Sequence, residues 1–163
     1  MIGAVATSLE YQRCHSVKIL LAMGDSTASE TAMTRLIDQI KTRETEVRLL
    51  HVLDPYPERL AKKMGGHDTP DFTAAQRKQR EFAGKLLAQA TEKLRSAGFL
   101  VNSSIREGDV CAVILEEAKR WRADLIVLGS RQRKGLEGLF SRSISEVVSR
   151  EAPCSVEVVR SPT

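Results

Sequence analysis

A basic loop that contains two glycines follows an apolar run in the second half of the chain. The run at positions 125–128 ends at Gly129, and a serine-rich stretch from position 141 onward can open a helix. Phosphate groups bind at such strand-to-helix loops because glycines let backbone N–H groups approach the oxygens and a helix N-terminus favours anions. The candidate anion site draws on both ends of this loop: Gly129, Ser130, Arg131, Gln132, Arg142, Ser143 and Ser145.

A second candidate turn follows the first apolar run, at positions 16–23. Gly24 and Asp25 stand directly after that run, and Val52 lies in the next predicted strand. In a parallel sheet, ligands bind at the carboxyl ends of the strands, where the strand order reverses. We therefore expect the Gly24 turn and the glycine loop to flank one crevice.

The histidines give little support for catalysis or metal binding. They are His15, His51 and His67, and neither an HxxxH nor an HExxH pattern occurs. Such patterns are the usual sign of zinc ligands on a helix. His51 lies within a predicted strand, where a hydrogen-bonded structural histidine is the simpler interpretation. The sequence therefore predicts no catalytic residue and no metal site, and it favours a non-enzymatic protein.

The three cysteines are far apart in the sequence. Cys14, Cys111 and Cys154 form no CxxC pair, so the spacing of a zinc or redox motif is absent. This usage is typical of reduced thiols that pack in the interior of a cytoplasmic protein.

The composition is that of a globular protein with an aliphatic core. Of 163 residues, 42% are hydrophobic and 4% aromatic, and the formal net charge is +4. A nucleic-acid-binding surface usually combines clustered basic residues with stacking aromatics, and no apolar run reaches the length of a membrane span. We therefore expect a cytoplasmic protein without nucleic-acid or membrane partners.

Strand-like and helix-like segments alternate along the chain. Apolar runs predict five strands, at 16–23, 46–54, 99–109, 123–129 and 154–160, and helical spacing predicts four helices, at 27–43, 71–97, 110–122 and 143–152. This alternation indicates an α/β fold: one doubly wound domain with a five-stranded, mostly parallel sheet and helices on both faces. The domain covers residues 16–160 and follows an N-terminal tail of residues 1–15.

Local signals indicate where the helices begin and end. Ser26, Thr27 or Ser29 can cap the first helix, and Asp109 can cap the third. Gly98 is expected to end the long second helix. Its buried face is predicted to consist of Phe82, Leu86, Leu87, Ala90 and Leu94. The segment 55–70, with three prolines, is predicted to be a loop.

Four stretches of the chain resemble the universal stress protein family: KILLAMGDSTASETAM, LLHVLDP, EGDVCAVILEEAKRWRADLIVLGS and GLFSRSISEVVSREAPCSVEVV. The resemblance covers nearly the whole chain after the tail. It implies the adenine nucleotide alpha hydrolase-like form of the doubly wound fold. It also implies a homodimer, paired through the last strand by Ser155, Val156, Glu157, Val158 and Val159.

The ATP-binding members of this family carry a loop of the form G-x-x-G-x9-G-[ST]. Laid on this chain without gaps, the first glycine is Gly129 and the hydroxyl residue is Ser143, whereas the other two glycines fall on Gln132 and Arg142. Side chains at these two positions occupy space close to the phosphates, although the arginines of the loop attract anions.

The resemblance also places an aspartate after the first strand in the ATP-binding members. That position is Gly24 here, and Asp25 stands one residue later. A shift of one residue at a strand end points a side chain to the opposite face. Asp25 is therefore a poor substitute.

Three alternatives remain for the loop: conventional ATP binding, a looser anion site, and a solvated basic loop without nucleotide. The resemblance, together with the altered loop, implies a homodimeric stress-response module with a degenerate nucleotide-binding loop, weak or no conventional ATP binding, unknown protein partners and no required cofactor. The alternative is an ATP- or AMP-binding switch with slow or no hydrolysis, whose cofactor is ATP or another adenine nucleotide with Mg.

Overall fold

The computed structural model describes residues 16–24, 26–40, 44–54, 70–130 and 143–160, except for the side chains of 70–73 and 75. The strands in these ranges are β1 (Val17–Ala22), β2 (Thr45–Leu53), β3 (Leu100–Glu107), β4 (Leu125–Ser130) and β5 (Ser155–Arg160). The helices are α1 (Thr27–Gln39), α2 (Pro70–Ser96), α3 (Val110–Trp121) and α4 (Ile144–Glu151). The predicted order of strands and helices is confirmed.

The five strands form one parallel sheet in the order β3-β2-β1-β4-β5. Leu20 of β1 pairs with Arg48 of β2 on one side and with Ile126 of β4 on the other. From β1 the chain continues to β2, and from β4 it continues to β5 on the opposite side. The strand order therefore reverses between β1 and β4, which is where doubly wound sheets bind ligands.

The core has two layers, because successive residues of a strand point to opposite faces of the sheet. Face one is covered by α1 and α2, and its strand residues include Ile19, Leu21, Val47, Leu49, Val127 and Val159. Face two is covered by α3 and α4, and its strand residues include Leu20, Leu50, Ile126, Leu128 and Val156. The central strands contribute fully buried aliphatic side chains to both layers, as expected for a parallel sheet.

The predicted caps are confirmed at two of the helix ends. The Asp109 carboxylate accepts a hydrogen bond from the backbone N–H of Ala112 at 2.9 Å, so it caps α3. Gly98 follows α2 with a φ of 96°, a conformation that favours glycine because no Cβ is present.

The predicted buried face of α2 is wrong at one position. Phe82 is 53% exposed, whereas Ala83, Leu87, Ala90 and Leu94 are buried. These four residues recur at intervals of four, three and four, and Phe82 precedes the first of them by one residue. One residue rotates the side chain by about 100° around a helix of 3.6 residues per turn, so Phe82 points away from the sheet.

Two predictions fall outside the described residues. These are the N-terminal tail at 1–15 and all of the predicted loop at 55–70 except Pro70, which begins α2. Within the described ranges, none of the helices combines the length and the apolar character needed to cross a bilayer.

Candidate functional site

The candidate crevice lies at the carboxyl ends of β1 and β4, the two adjacent strands between which the order reverses. Gly24 follows β1, and Gly129 and Ser130 form the end of β4. The structure thus brings the Gly24 turn and the start of the glycine loop to the same edge of the sheet, as the sequence predicts.

Gly129 is in close contact with the first turn of α1. A Cβ atom at this position would lie 2.4 Å from both the carbonyl carbon and the carbonyl oxygen of Ala28, and 2.5 Å from the backbone nitrogen of Ser29. Side-chain atoms do not approach backbone atoms so closely. A glycine is therefore required here for α1 to pack on face one.

Ser29 connects this contact to the Gly24 turn. Its side chain is buried, and its Oγ accepts a hydrogen bond from the backbone N–H of Gly24 at 2.9 Å. Ser26 occupies the N-cap position of α1, but its side chain makes no capping hydrogen bond. Ser26 therefore occupies the predicted cap position without a side-chain capping bond, whereas the prediction for Ser29 is wrong: Ser29 instead fixes the turn that precedes the helix.

The position of Gly24 has room for a side chain. A Cβ atom there would lie 3.4 Å from the Ser29 Oγ, an ordinary contact distance, and the φ of Gly24 is outside the positive range. The missing aspartate of the ATP-binding members is therefore not excluded by the backbone of this turn.

Ser143 caps α4 on the far side of the glycine loop. Its Oγ accepts a hydrogen bond from the backbone N–H of Glu146 at 3.2 Å. The Oγ of Ser145 lies 3.1 Å from the Oγ of Ser143. This arrangement satisfies one of the N–H groups that a helix start leaves without an intrahelical partner.

The remaining candidate residues fall into two groups. Val52 is half-buried in β2 and packs against the apolar cluster of face two. Asp25, Arg131, Gln132 and Arg142 lie outside the described residues. The structure therefore brings together Gly24, Ser29 and Gly129, while Ser143 marks the start of the helix beyond the loop.

Sequence reasoning missed the part that Ser29 plays in this site. A serine in the first turn of a helix is usually assigned to capping. Two features of the sequence could have indicated this role. Gly129 permits a close approach of another backbone, and Ser29 stands in the first turn of a helix that could make that approach.

His51 has the structural role that the sequence favours. Its Nδ1 lies 2.8 Å from the carbonyl oxygen of Met23. A carbonyl oxygen only accepts hydrogen bonds, so this nitrogen carries the proton and donates. The contact ties the end of β1 to β2.

The two described cysteines are free thiols that are partly buried. Burial raises the pKa of the Cys111 thiol, and the negative charges of Asp109 and Glu151 raise it further. Burial, followed by the charge of Asp124, raises the pKa of Cys154. Both groups are therefore protonated at neutral pH. Within the described ranges, no group of three or more His, Cys, Asp or Glu side chains is placed to hold a metal ion.

Comparison with known proteins gives consistent results. The model of the universal stress protein family matches residues 16–160. The universal stress protein YxiE of Bacillus subtilis is 30% identical over 145 residues, which cover 88% of this chain and 98% of that protein.

Solved structures show the same fold. The structure of the hypothetical protein MJ0577 superposes with a TM-score of 0.74 at 24% identity, covering 90% of this chain and 96% of that one. A universal stress protein family protein from Arabidopsis thaliana, solved with AMP bound, superposes with a TM-score of 0.66 at 22% identity, covering 90% and 93%. The family match over residues 16–160 and the Bacillus subtilis relative at 30% identity establish that the chain belongs to the universal stress protein family.

Proposed function

We propose that this protein is a cytoplasmic, homodimeric stress-response module whose nucleotide-binding loop has lost most of its affinity for ATP. Two of the four fixed positions in the ATP-binding loop, Gln132 and Arg142, carry long side chains in place of glycine. Glycines at such positions let phosphates approach backbone N–H groups, and a Cβ with a long side chain obstructs that approach.

One observation carries this proposal: both retained loop residues have a role in the fold that does not involve a nucleotide. Gly129 is needed because α1 packs directly on it. Ser143 is explained because its hydroxyl caps α4. The retention of these two residues is therefore no evidence for phosphate binding, and the other two fixed positions carry Gln132 and Arg142 in place of glycine.

The second candidate function is an ATP- or AMP-binding switch with slow or no hydrolysis. It is supported by the AMP in the Arabidopsis relative and by the basic residues of the loop, Arg131, Arg133, Lys134 and Arg142. Flexible arginines bind phosphate as bidentate donors and do not need the glycine geometry. In this case the cofactor is an adenine nucleotide with Mg.

The proposed dimer pairs through β5. This strand lies at the edge of the described sheet, next to β4. An edge strand with apolar side chains is a template for pairing with another chain. Val156, Glu157 and Val158 are half-buried in the single chain, and a second copy of β5 would cover them further.

Thermal unfolding with and without nucleotide separates the two functions. A ligand at about a hundred times its dissociation constant adds about 2.7 kcal/mol of stability, which raises Tm by roughly 5 to 10 °C in a chain of this size. We expect Mg-ATP and Mg-AMP to leave Tm within about 1 °C of a Mg-only control. A saturable rise with either nucleotide, or adenine absorbance carried through purification, would favour the switch.

A further inference from the structure

A buried carboxylate lies at the centre of a group of arginines on face two. Glu117 of α3 is only 4% exposed. Its Oε1 accepts from Arg48 at 2.7 Å, and its Oε2 accepts from Arg106 at 3.5 Å and from Arg120. These four side chains are called the arginine cluster below. They join three parts of the fold, β2, β3 and α3.

The arginine cluster carries more positive than negative charge. Three guanidinium groups and one carboxylate leave a formal surplus of two positive charges. Arg106 and Arg120 share a single carboxylate oxygen, so two like charges are held side by side. A second carboxylate, that of Glu46, lies on the same face of β2 as Arg48. It accepts a hydrogen bond from the Ser16 hydroxyl and is not one of the four side chains of the cluster. A second anion between the arginines would relieve their repulsion.

Two of the three arginines are accessible to a ligand. The side chain of Arg48 is 24% exposed, whereas those of Arg106 and Arg120 are 44% and 53% exposed. A guanidinium group has five N–H donors in one plane, and its contact with Glu117 uses one nitrogen. The other donors of Arg106 and Arg120 can bind an oxyanion with the paired geometry that arginine forms with phosphate.

A further polar group lies on the same face of β3. Ser104 stands two residues before Arg106, so both side chains point to face two. Its Oγ is buried and has no hydrogen-bond partner among the described residues. Buried hydroxyl groups normally have a partner. The same face of β3 therefore carries one polar group that the described residues leave unsatisfied.

The inner side of the cluster makes further contacts with the fold. The Arg48 guanidinium lies 4.4 Å from the centre of the Trp121 ring, and the Lys18 ammonium lies 5.6 Å from it. Such stacking fixes a guanidinium in place. Because Arg48 also holds Glu117, the carboxylate that positions Arg106 and Arg120 is itself held. A pre-organised site loses less conformational entropy when it binds a ligand.

We propose that the guanidinium groups of Arg106 and Arg120, positioned by Glu117, bind a phosphate group. The surplus of two positive charges matches a phosphate group, which carries about −1.5 to −2 charges near neutral pH. This site lies on face two toward the β3 edge of the sheet, whereas the candidate nucleotide crevice lies between β1 and β4. Arg106 pairs in register with Val52, the crevice candidate on β2, so the two sites are neighbours on face two. They use different charged groups, because neither Arg106 nor Arg120 belongs to the candidate nucleotide loop.

Trp121 reports on this site through Arg48. It is the single tryptophan of the chain, and it stacks on Arg48, which shares the Glu117 carboxylate with Arg106 and Arg120. We would titrate the full-length protein with inorganic phosphate and follow tryptophan emission, with KCl adjusted to keep the ionic strength constant. A parallel titration with glycerol 3-phosphate distinguishes the free ion from a phosphate monoester. We expect a saturable change with at least one of the two and none with KCl alone.

Variants assign the signal to the cluster. The double variant Arg106→Gln with Arg120→Gln is expected to weaken binding at least tenfold. Arg120→Gln alone, which replaces the most exposed arginine of the cluster, serves if the double variant does not fold by circular dichroism. The matched control is Arg150→Gln, which removes an arginine of 50% exposure that pairs with Glu151, and it should titrate like the wild type.

Two results would overturn the proposal. The first is an emission change that is absent or follows ionic strength alone. The second is a saturable change of wild-type affinity in the folded double variant, because phosphate would then bind elsewhere, for example at the loop after Gly129.

Discussion

Gly129 at the end of β4 and Ala28 in the first turn of α1 are so close that a Cβ on the glycine would lie 2.4 Å from the Ala28 carbonyl carbon. Gly129, the first glycine of the proposed nucleotide loop, is therefore also the residue on which α1 rests. This relationship explains a glycine at this position whether or not the loop binds a nucleotide.

Gly129→Ala should destabilise the protein strongly without any nucleotide present. The added methyl group meets backbone atoms, which cannot rotate away, so we expect a loss of about 3 kcal/mol in the free energy of unfolding. Urea denaturation measures it. Gly84→Ala is the matched control: it lies in α2 with no atom within 4 Å of the new Cβ, and it should gain roughly 0.5 to 1 kcal/mol. Equal effects of the two substitutions would contradict the packing role.

Ser143→Ala should lower stability because α4 loses its cap. Replacing an N-cap serine by alanine costs about 1 kcal/mol, and the cost should be the same with and without Mg-ATP. Ser149→Ala changes an exposed serine of the same helix and should be nearly neutral. If Ser143→Ala alters stability only when nucleotide is present, the hydroxyl serves the ligand and the cap is incidental.

Glu117→Gln should destabilise the protein. The variant leaves three guanidinium groups without their carboxylate, and because two of them are about half exposed, solvent screens part of the loss, so we expect a cost of about 1 to 2 kcal/mol. Glu116→Gln makes the same change in charge at an exposed position of α3, where we expect a change within about 0.5 kcal/mol. Chemical denaturation at neutral pH compares the two.

The stabilisation by Glu117 should also depend on pH. Burial raises the pKa of this carboxyl, but the hydrogen bonds from Arg48 and Arg120 and their charges outweigh burial, so the pKa is lowered from its ordinary value of 4.5. A carboxyl with a lowered pKa stabilises the fold above its ordinary pKa and loses that contribution as the pH falls through the folded-state value. Wild type should lose stability below about pH 4.5 more steeply than Glu117→Gln. Parallel curves for the two proteins would rule out a lowered pKa.

The β5 edge can be tested by placing a charge on it. In a dimer paired through β5, Val158→Lys brings two like charges near the shared interface, so we expect the dimer to dissociate at least ten times more readily. Asn102→Lys places the same charge on β3, at the opposite edge of the sheet, and should leave the dimer intact. Sedimentation velocity of both variants and the wild type is the measurement, and a monomeric wild type at micromolar concentration would defeat the idea.

The sequence predicts the sheet well because buried parallel strands leave a clear signal. The apolar runs at β1 and β4 and the helical spacing between the strands determine the order of strands and helices, and the position of the reversal follows from the doubly wound fold. The prediction that Phe82 is buried is wrong because Phe82 stands one position before Ala83, where the buried pattern of α2 begins. An aromatic residue at that position is easily assigned to the apolar face.

Contacts between distant parts of the chain could not be predicted in the same way. Arg48 and Glu117 are 69 residues apart in the sequence, and nothing in either local segment indicates that they pair. An arginine within an otherwise apolar strand does indicate that a partner must exist, but it does not identify the partner. The close approach of Gly129 to Ala28 and Ser29 is similar, since it joins the end of β4 to the distant start of α1.

The most direct test of the degenerate loop is isothermal titration of Mg-ATP into the wild type and into a restored variant, Gly24→Asp with Gln132→Gly and Arg142→Gly. The turn at Gly24 accepts a Cβ at ordinary contact distance, and the two new glycines free the loop backbone to approach phosphates. Removing Arg142 also removes a positive charge that attracts the anion. We expect this loss to be smaller than the gain, because a phosphate that is sterically excluded from the loop makes no contact with that charge. We predict weak or no binding by the wild type and an affinity on the order of a hundredfold higher, about 2.7 kcal/mol, in the variant. A wild type that binds as tightly as the restored variant would contradict the account and assign a working site to the arginines of the loop.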